Sequence, residues 1–117
     1  MRGWAWAAID AVLILVFAAI GRASHDEGTV ITGVLTTAWP FLVGAAVGWA
    51  LWWAARRSPA SSLRAGLVVW PATVIVGMAL RHLTGRGIAV PFIVVATLVL
   101  GVFLLGARAL GIRANGR

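Results

Sequence analysis

The chain has 117 residues, 62% of them hydrophobic and only 11% charged, which is too few charges to coat a water-soluble globule and enough length for one domain. It therefore reads as an integral membrane protein. The net charge of +7 comes from ten basic residues, all Arg, that punctuate apolar runs, so nucleic acid is excluded as a partner, and the absence of Cys excludes disulfides, thiolate metal sites and thiol catalysis.

A bilayer core ~30 Å thick needs about 20 helical residues. Four runs qualify, at residues 4–21, 30–54, 63–80 and 88–107. The first reads WAWAAIDAVLILVFAAIG, and its only ionisable side chain is Asp10. A charge at the centre of a membrane helix costs ~2.5–3.5 kcal/mol on insertion scales, so Asp10 needs a partner or a water-filled cavity. The segment has a signal-peptide look near Gly21-Arg22-Ala23, but the internal Asp and the length of the run favour a retained helix.

Residues 22–29 (RASHDEGT) make the first loop. The second run carries Pro40 and a Gly44-x3-Gly48 close-packing face, used either within the bundle or in a homodimer. Residues 56–62 (RRSPASS) follow, with Pro59 as a helix breaker and Ser61 or Ser62 as the N-cap of the third run. The third run carries Pro71 and ends in the loop 81–87 (RHLTGRG). None of the runs alternates with period 2, and backbone groups in lipid must be satisfied internally, so all four are helices. Short links make neighbours antiparallel, so the expected fold is an all-α, up-down four-helix bundle.

Arg2, Arg56, Arg57, Arg64, Arg108, Arg113 and Arg117 fall on one side, against Arg22, Arg81 and Arg86 on the other. The richer side is the cytoplasm, which places both termini inside the plasma membrane. Trp4, Trp6, Trp49, Trp52 and Trp53 form an aromatic belt at that same face. The second run contains TTAWPFLVG and the fourth IAVPFIVVA, while the first ends GRASH and the third LRHLTG. These echoes raise a second organisation, two tandem helical hairpins at about 1–57 and 58–117.

Two places collect chemistry. Asp10 lies ~9 Å inside the cytoplasmic end of its helix, at the depth of Trp49, Trp70, Thr73 and Thr97. It is expected to face the bundle and to accept a hydrogen bond from an indole or hydroxyl there, Trp70 first. Its role is either a packing contact, worth ~0.6 kcal/mol on average, or a proton or cation site. The outer mouth gathers Arg22, Ser24, His25, Asp26 and Glu27 with Arg81, His82, Thr84 and Arg86. Here the alternatives are interfacial Arg paired with Asp26 and Glu27, or a bidentate clamp for phosphate or carboxylate. Trp39 and Trp70 each precede an intrahelical Pro, and broken helices can line substrate sites. There is no HExxH, GxSxG, P-loop or paired carboxylate, and His25, His82 and Asp26 lack a metal-binding spacing. No catalytic residue, cofactor or metal is expected.

Asp10, GRxSH at 21–25, AWPFLxG at 38–44, GxxxR at 77–81, LTGxG at 83–87 and VATLxLxxFLLGxR at 95–108 together resemble an uncharacterised actinobacterial and haloarchaeal membrane family, a domain-of-unknown-function family. The resemblance covers nearly the whole chain. It implies four membrane spans, supplies no activity, and draws attention to Asp10, Arg22, His25 and Arg81. Two positions depart from the family's pattern: Ala107 stands where Trp is favoured, and Ile88 where Thr is common. The expected binding residues are Asp10, Arg22, Ser24, His25, Trp39, Trp70, Arg81 and Thr97. They serve a bundle that binds or passes a small polar or anionic solute. The alternative is a lipid-binding or accessory subunit whose basic ends and Trp belt engage anionic lipids.

Overall fold

Each apolar run satisfies its own backbone by coiling into a helix, and the polar links supply the stops. A computed structural model describes residues 3–23 and 30–114. It contains α1 (Ala5–Ala23), α2 (Val30–Arg56), α3 (Leu63–Leu83) and α4 (Val90–Ala114), and no strand among the described residues. α2 stops where Arg57 turns to a φ of 53° and Pro59 forbids further helix. Ser62, one of the two expected caps, starts α3 by accepting from Ala65 N at 3.0 Å. α3 closes at Thr84, whose Oγ1 donates to Leu80 O at 2.9 Å, and at Gly85, whose φ of 82° only glycine adopts without strain. α4 continues to Ala114, beyond the expected end at residue 107, which places Arg108 inside a helix.

The helices form a ring in which α1 touches α2 and α4, and α3 touches α2 and α4. Neighbours are antiparallel. Trp6 near the start of α1 meets Gly111 near the end of α4, and Gly44 and Gly48 of α2 meet Thr73 and Val69 of α3. Both termini and the α2–α3 loop therefore share one end of the bundle, here called the terminal end. The α3–α4 loop marks the opposite, turn end.

Small residues set the closest approaches. A Cβ on Gly44 would stand 2.7 Å from Thr73 O, and one on Gly48 would stand 2.8 Å from Val69 Cα. The small-residue face thus packs inside the chain, between α2 and α3. Gly77 of α3 receives the Phe41 ring, and Gly101 of α4 receives Trp70. Ile14, Phe17, Phe41, Val69, Leu100 and Leu104 fill the interior. The exterior is just as apolar, with Ile75 67%, Leu98 63% and Val102 68% exposed. A helix hydrophobic on every face belongs in lipid. Ile31–Arg56, Leu63–Leu83 and Val90–Gly111 are long and apolar enough to cross a membrane, and α1 carries a shorter apolar stretch, Ala5–Gly21.

The two Pro-Phe motifs of the hairpin echo differ in setting. Pro40 is buried inside α2, which runs on toward the turn end to Val30, whereas Pro91 is the second residue of α4. Their Phe rings still meet, with centroids 6.3 Å apart, and Phe17 stands 5.5 Å from Phe41.

Because the Gly44 contact is with backbone, Gly44→Ala should lower thermal stability in detergent sharply. Gly106 has nothing within 4 Å of its missing Cβ. Gly106→Ala should be neutral or stabilising by up to ~1 kcal/mol. The two melting curves, compared with the wild type, check the packing scheme.

Candidate functional site

Asp10 is 1% exposed and faces the bundle, where it meets a partner that the sequence reading placed elsewhere. Arg108 of α4, itself fully buried, forks onto it. Nη1 donates to Oδ1 and Nη2 to Oδ2, each at 2.8 Å. Trp49 Nε1 of α2 donates to Oδ2 at 3.0 Å. The donor is thus an indole, as expected, but it is Trp49 rather than Trp70. The second N–H of each Arg108 Nη is also used, toward Leu104 O at 3.1 Å and Ala60 O at 2.6 Å. Of the Arg108 nitrogens only Nε is buried without a partner, and Trp52 Nε1 is the other such side-chain atom among the described residues. The guanidinium also lies 5.2 Å from the Trp6 ring centroid, within cation–π range.

The surroundings are shaped for this pair. A Cβ on Gly66 of α3 would meet Arg108 Cδ at 2.9 Å, so the glycine makes room for the arginine stem. The α2–α3 loop turns Ala60 inward, fully buried, so its carbonyl reaches the guanidinium. A groove of about 300 Å³ between α1 and α2, walled by Trp4 and Trp49, runs up to Asp10. It meets a carboxylate whose charge is already balanced and whose oxygens are both engaged.

Arg108 was grouped with the cytoplasmic Arg anchors, and that is corrected: it has no exposure to serve as one. The signal was the apolar Ala109-Leu110-Gly111-Ile112 beyond it, which lets the helix carry on and pulls the charge inside. Trp4, Trp49 and Trp53 do cluster at the terminal end, with ring centroids 5.5–5.6 Å from Trp4, and Arg56 and Arg57 sit over Trp52 and Trp53.

The other expected site residues disperse. Trp70 Nε1 donates to Thr97 O at 2.9 Å, and Thr97 Oγ1 and Thr73 Oγ1 donate to carbonyls one turn back in their own helices. Trp70 and Thr97 therefore tie α3 to α4 along a shallow groove of about 290 Å³ and do not approach Asp10 by any hydrogen bond. Trp39 is 39% exposed on the outer surface of α2, not turned into a site. Ser24, His25, Asp26 and Glu27 lie outside the described residues, as does the side chain of Arg22. His82 is exposed, and among the described residues no three potential metal ligands converge.

Arg81 does line a cavity. It stands at the turn end with Arg86 beside a cleft of about 550 Å³ between α1 and α4. The turn aims both. Thr84 and Gly85 cap α3, Arg86 N donates to Arg81 O at 2.9 Å, and Arg81 Nε donates to Gly87 O at 2.6 Å. The Arg81 guanidinium lies 4.3 Å from the Phe92 ring centroid. With Nε committed to the turn and the plane braced on an aromatic face, the Nη groups remain for an acceptor in the cleft, the arrangement suited to a phosphate or carboxylate.

Apolar side chains lie between this cleft and the Asp10–Arg108 pair. Ile14, Phe41 and Leu100 are fully buried and Phe17 nearly so. An all-helical bundle with three helices long and apolar enough to cross a membrane is consistent with a membrane protein. The chain belongs to a protein family of unknown function (DUF3054), matched over residues 7–111. No curated protein and no solved structure matches it.

Removing one partner of a buried ion pair strands the other. Asp10→Ala and Arg108→Ala should each cost ~3–5 kcal/mol of stability. Trp49→Phe, which removes one charge-assisted bond and keeps the ring, should cost ~1.5–3 kcal/mol. Denaturation of the three variants in detergent checks the order, and an Asp10→Ala protein as stable as the wild type would contradict it.

Proposed function

We propose that this protein is a four-span module of the plasma membrane, with both termini cytoplasmic, that binds a small anionic group at its turn-end cleft and does not conduct it. Antiparallel packing supports the fourth span. α1 lies along α4 from the Trp6–Gly111 contact to the Phe17–Phe92 contact, so a membrane crossed by α4 takes α1 with it. The Arg bias supports the orientation, even without Arg108, because six Arg remain on the terminal side against three at the turn end.

The observation that carries the binding reading is the pairing of Arg81 and Arg86 at one cleft, with Arg81 pre-oriented by Gly87 O and Phe92. The observation that favours no conduction is the buried Ile14, Phe17, Phe41 and Leu100 between that cleft and the Asp10–Arg108 pair. This joins the solute-binding half of one expectation to the non-transporting half of the other.

Two measurements test the proposal. The natural chain has no Cys, so Arg57→Cys and Ser62→Cys should resist an impermeant maleimide in intact cells while Gly87→Cys reacts. Inorganic phosphate should bind the purified protein, and Arg81→Gln should weaken it about tenfold, while vesicles carrying the protein show no phosphate flux above protein-free vesicles. Flux that depends on Arg81 would replace this reading with a transporter.

A further inference from the structure

The cleft's walls narrow the anion to one class, an inference that rests on the reading of that cleft as a binding site. Its two guanidiniums belong to the end of α3 and the following loop, and apart from Thr37 of α2 the rest of its lining is apolar. α4 lines it from Pro91 to Val99, which at 1.5 Å per residue is ~12 Å of wall. α1 supplies Ile20 and, farther from the turn end, Phe17. Ile20 is 61% and Val95 53% exposed on the bundle surface, so the cleft opens sideways between α1 and α4 into the medium that covers the apolar exterior.

The seam has a physical origin. α1 and α4 share the sparsest contact of the four neighbouring pairs. They are fastened at the terminal end by Asp10–Arg108 and by Trp6 on Gly111, and beside the cleft they meet at the looser Phe17–Phe92 ring contact, with centroids 6.4 Å apart. A volume of about 550 Å³ is in the range of sites for organic ligands and far exceeds what a phosphate group fills. A free inorganic anion would leave most of that apolar wall uncovered.

We propose that the occupant is an anionic membrane lipid. Its phosphate sits between Arg81 and Arg86, and the upper part of one acyl chain lies along Ile20, Phe17, Val95 and Val99. The charge is complementary, the guanidiniums stand at the helix end where head groups lie, and the apolar wall runs inward from them as an acyl chain does.

The test is native mass spectrometry of the full chain released from nanodiscs holding equal amounts of phosphatidylglycerol and phosphatidylcholine. The wild type should retain one phosphatidylglycerol, preferred roughly tenfold over phosphatidylcholine. Arg81→Gln with Arg86→Gln should remove that preference. Val99→Trp, which fills the deep end, should lose the lipid yet still bind inorganic phosphate like the wild type. Equal retention of the two lipids, or full lipid retention by Val99→Trp, would overturn the proposal. Displacement of the lipid by glycerol 3-phosphate at matching concentration would also overturn it, leaving a headgroup-sized anion site intact. Failure of both lipid and phosphate to bind would overturn this inference and the binding reading together.

Discussion

A carboxylate and a guanidinium placed in a low-dielectric interior must find each other, and in this protein that constraint organises the terminal half of the bundle. Asp10 alone inside α1 would be costly, and Arg108 alone inside α4 equally so. Paired, they draw in a donor from α2, a carbonyl from the α2–α3 loop and a glycine-sized gap in α3. One ion pair thereby fixes the relative position of all four helices. It also explains why α4 runs past the point where an interfacial Arg would end it. A buried pair adds little net stability compared with a well-packed apolar pair, so its value here lies in specifying which helices meet and in what register.

Fastening one end leaves the other to diverge. The α1–α4 seam is closed at Asp10 and open at Arg81, and the cleft is the space between. The Phe17–Phe41–Phe92 cluster closes the bundle beneath it. The Arg pair at the turn end stands beside the larger cleft, while Asp10, 1% exposed, lies at the floor of a smaller groove with both oxygens hydrogen-bonded.

Much of the architecture was legible because membranes leave few options. Long apolar runs, short polar links and a Ser-led restart give four antiparallel helices, and Ser62 caps α3 as the spacing implied. Asp10 was recognisable as a buried group from its solitude in an apolar run. Its partners were not, for two reasons. Depth along a helix can be counted, but facing cannot, and Trp49 and Trp70 lie at similar depth on different helices and turn toward different neighbours. Arg near a helix end also reads as an anchor by default, and only the apolar residues after Arg108 distinguish it from Arg56 or Arg57. The glycines illustrate the same limit. Gly44 and Gly48 announce a close approach, but whether to α3 or to another protomer is decided by the three-dimensional ring.

The two-pronged hydrogen bonding of Arg108 to Asp10 makes them one structural unit. A double-mutant cycle tests it most directly, using Asp10→Leu, Arg108→Met and the two together, with stability and phosphate binding read for each. The double variant should recover most of the stability lost by either single change and bind phosphate like the wild type. Additive losses, or a stable double variant that no longer binds phosphate, would contradict it.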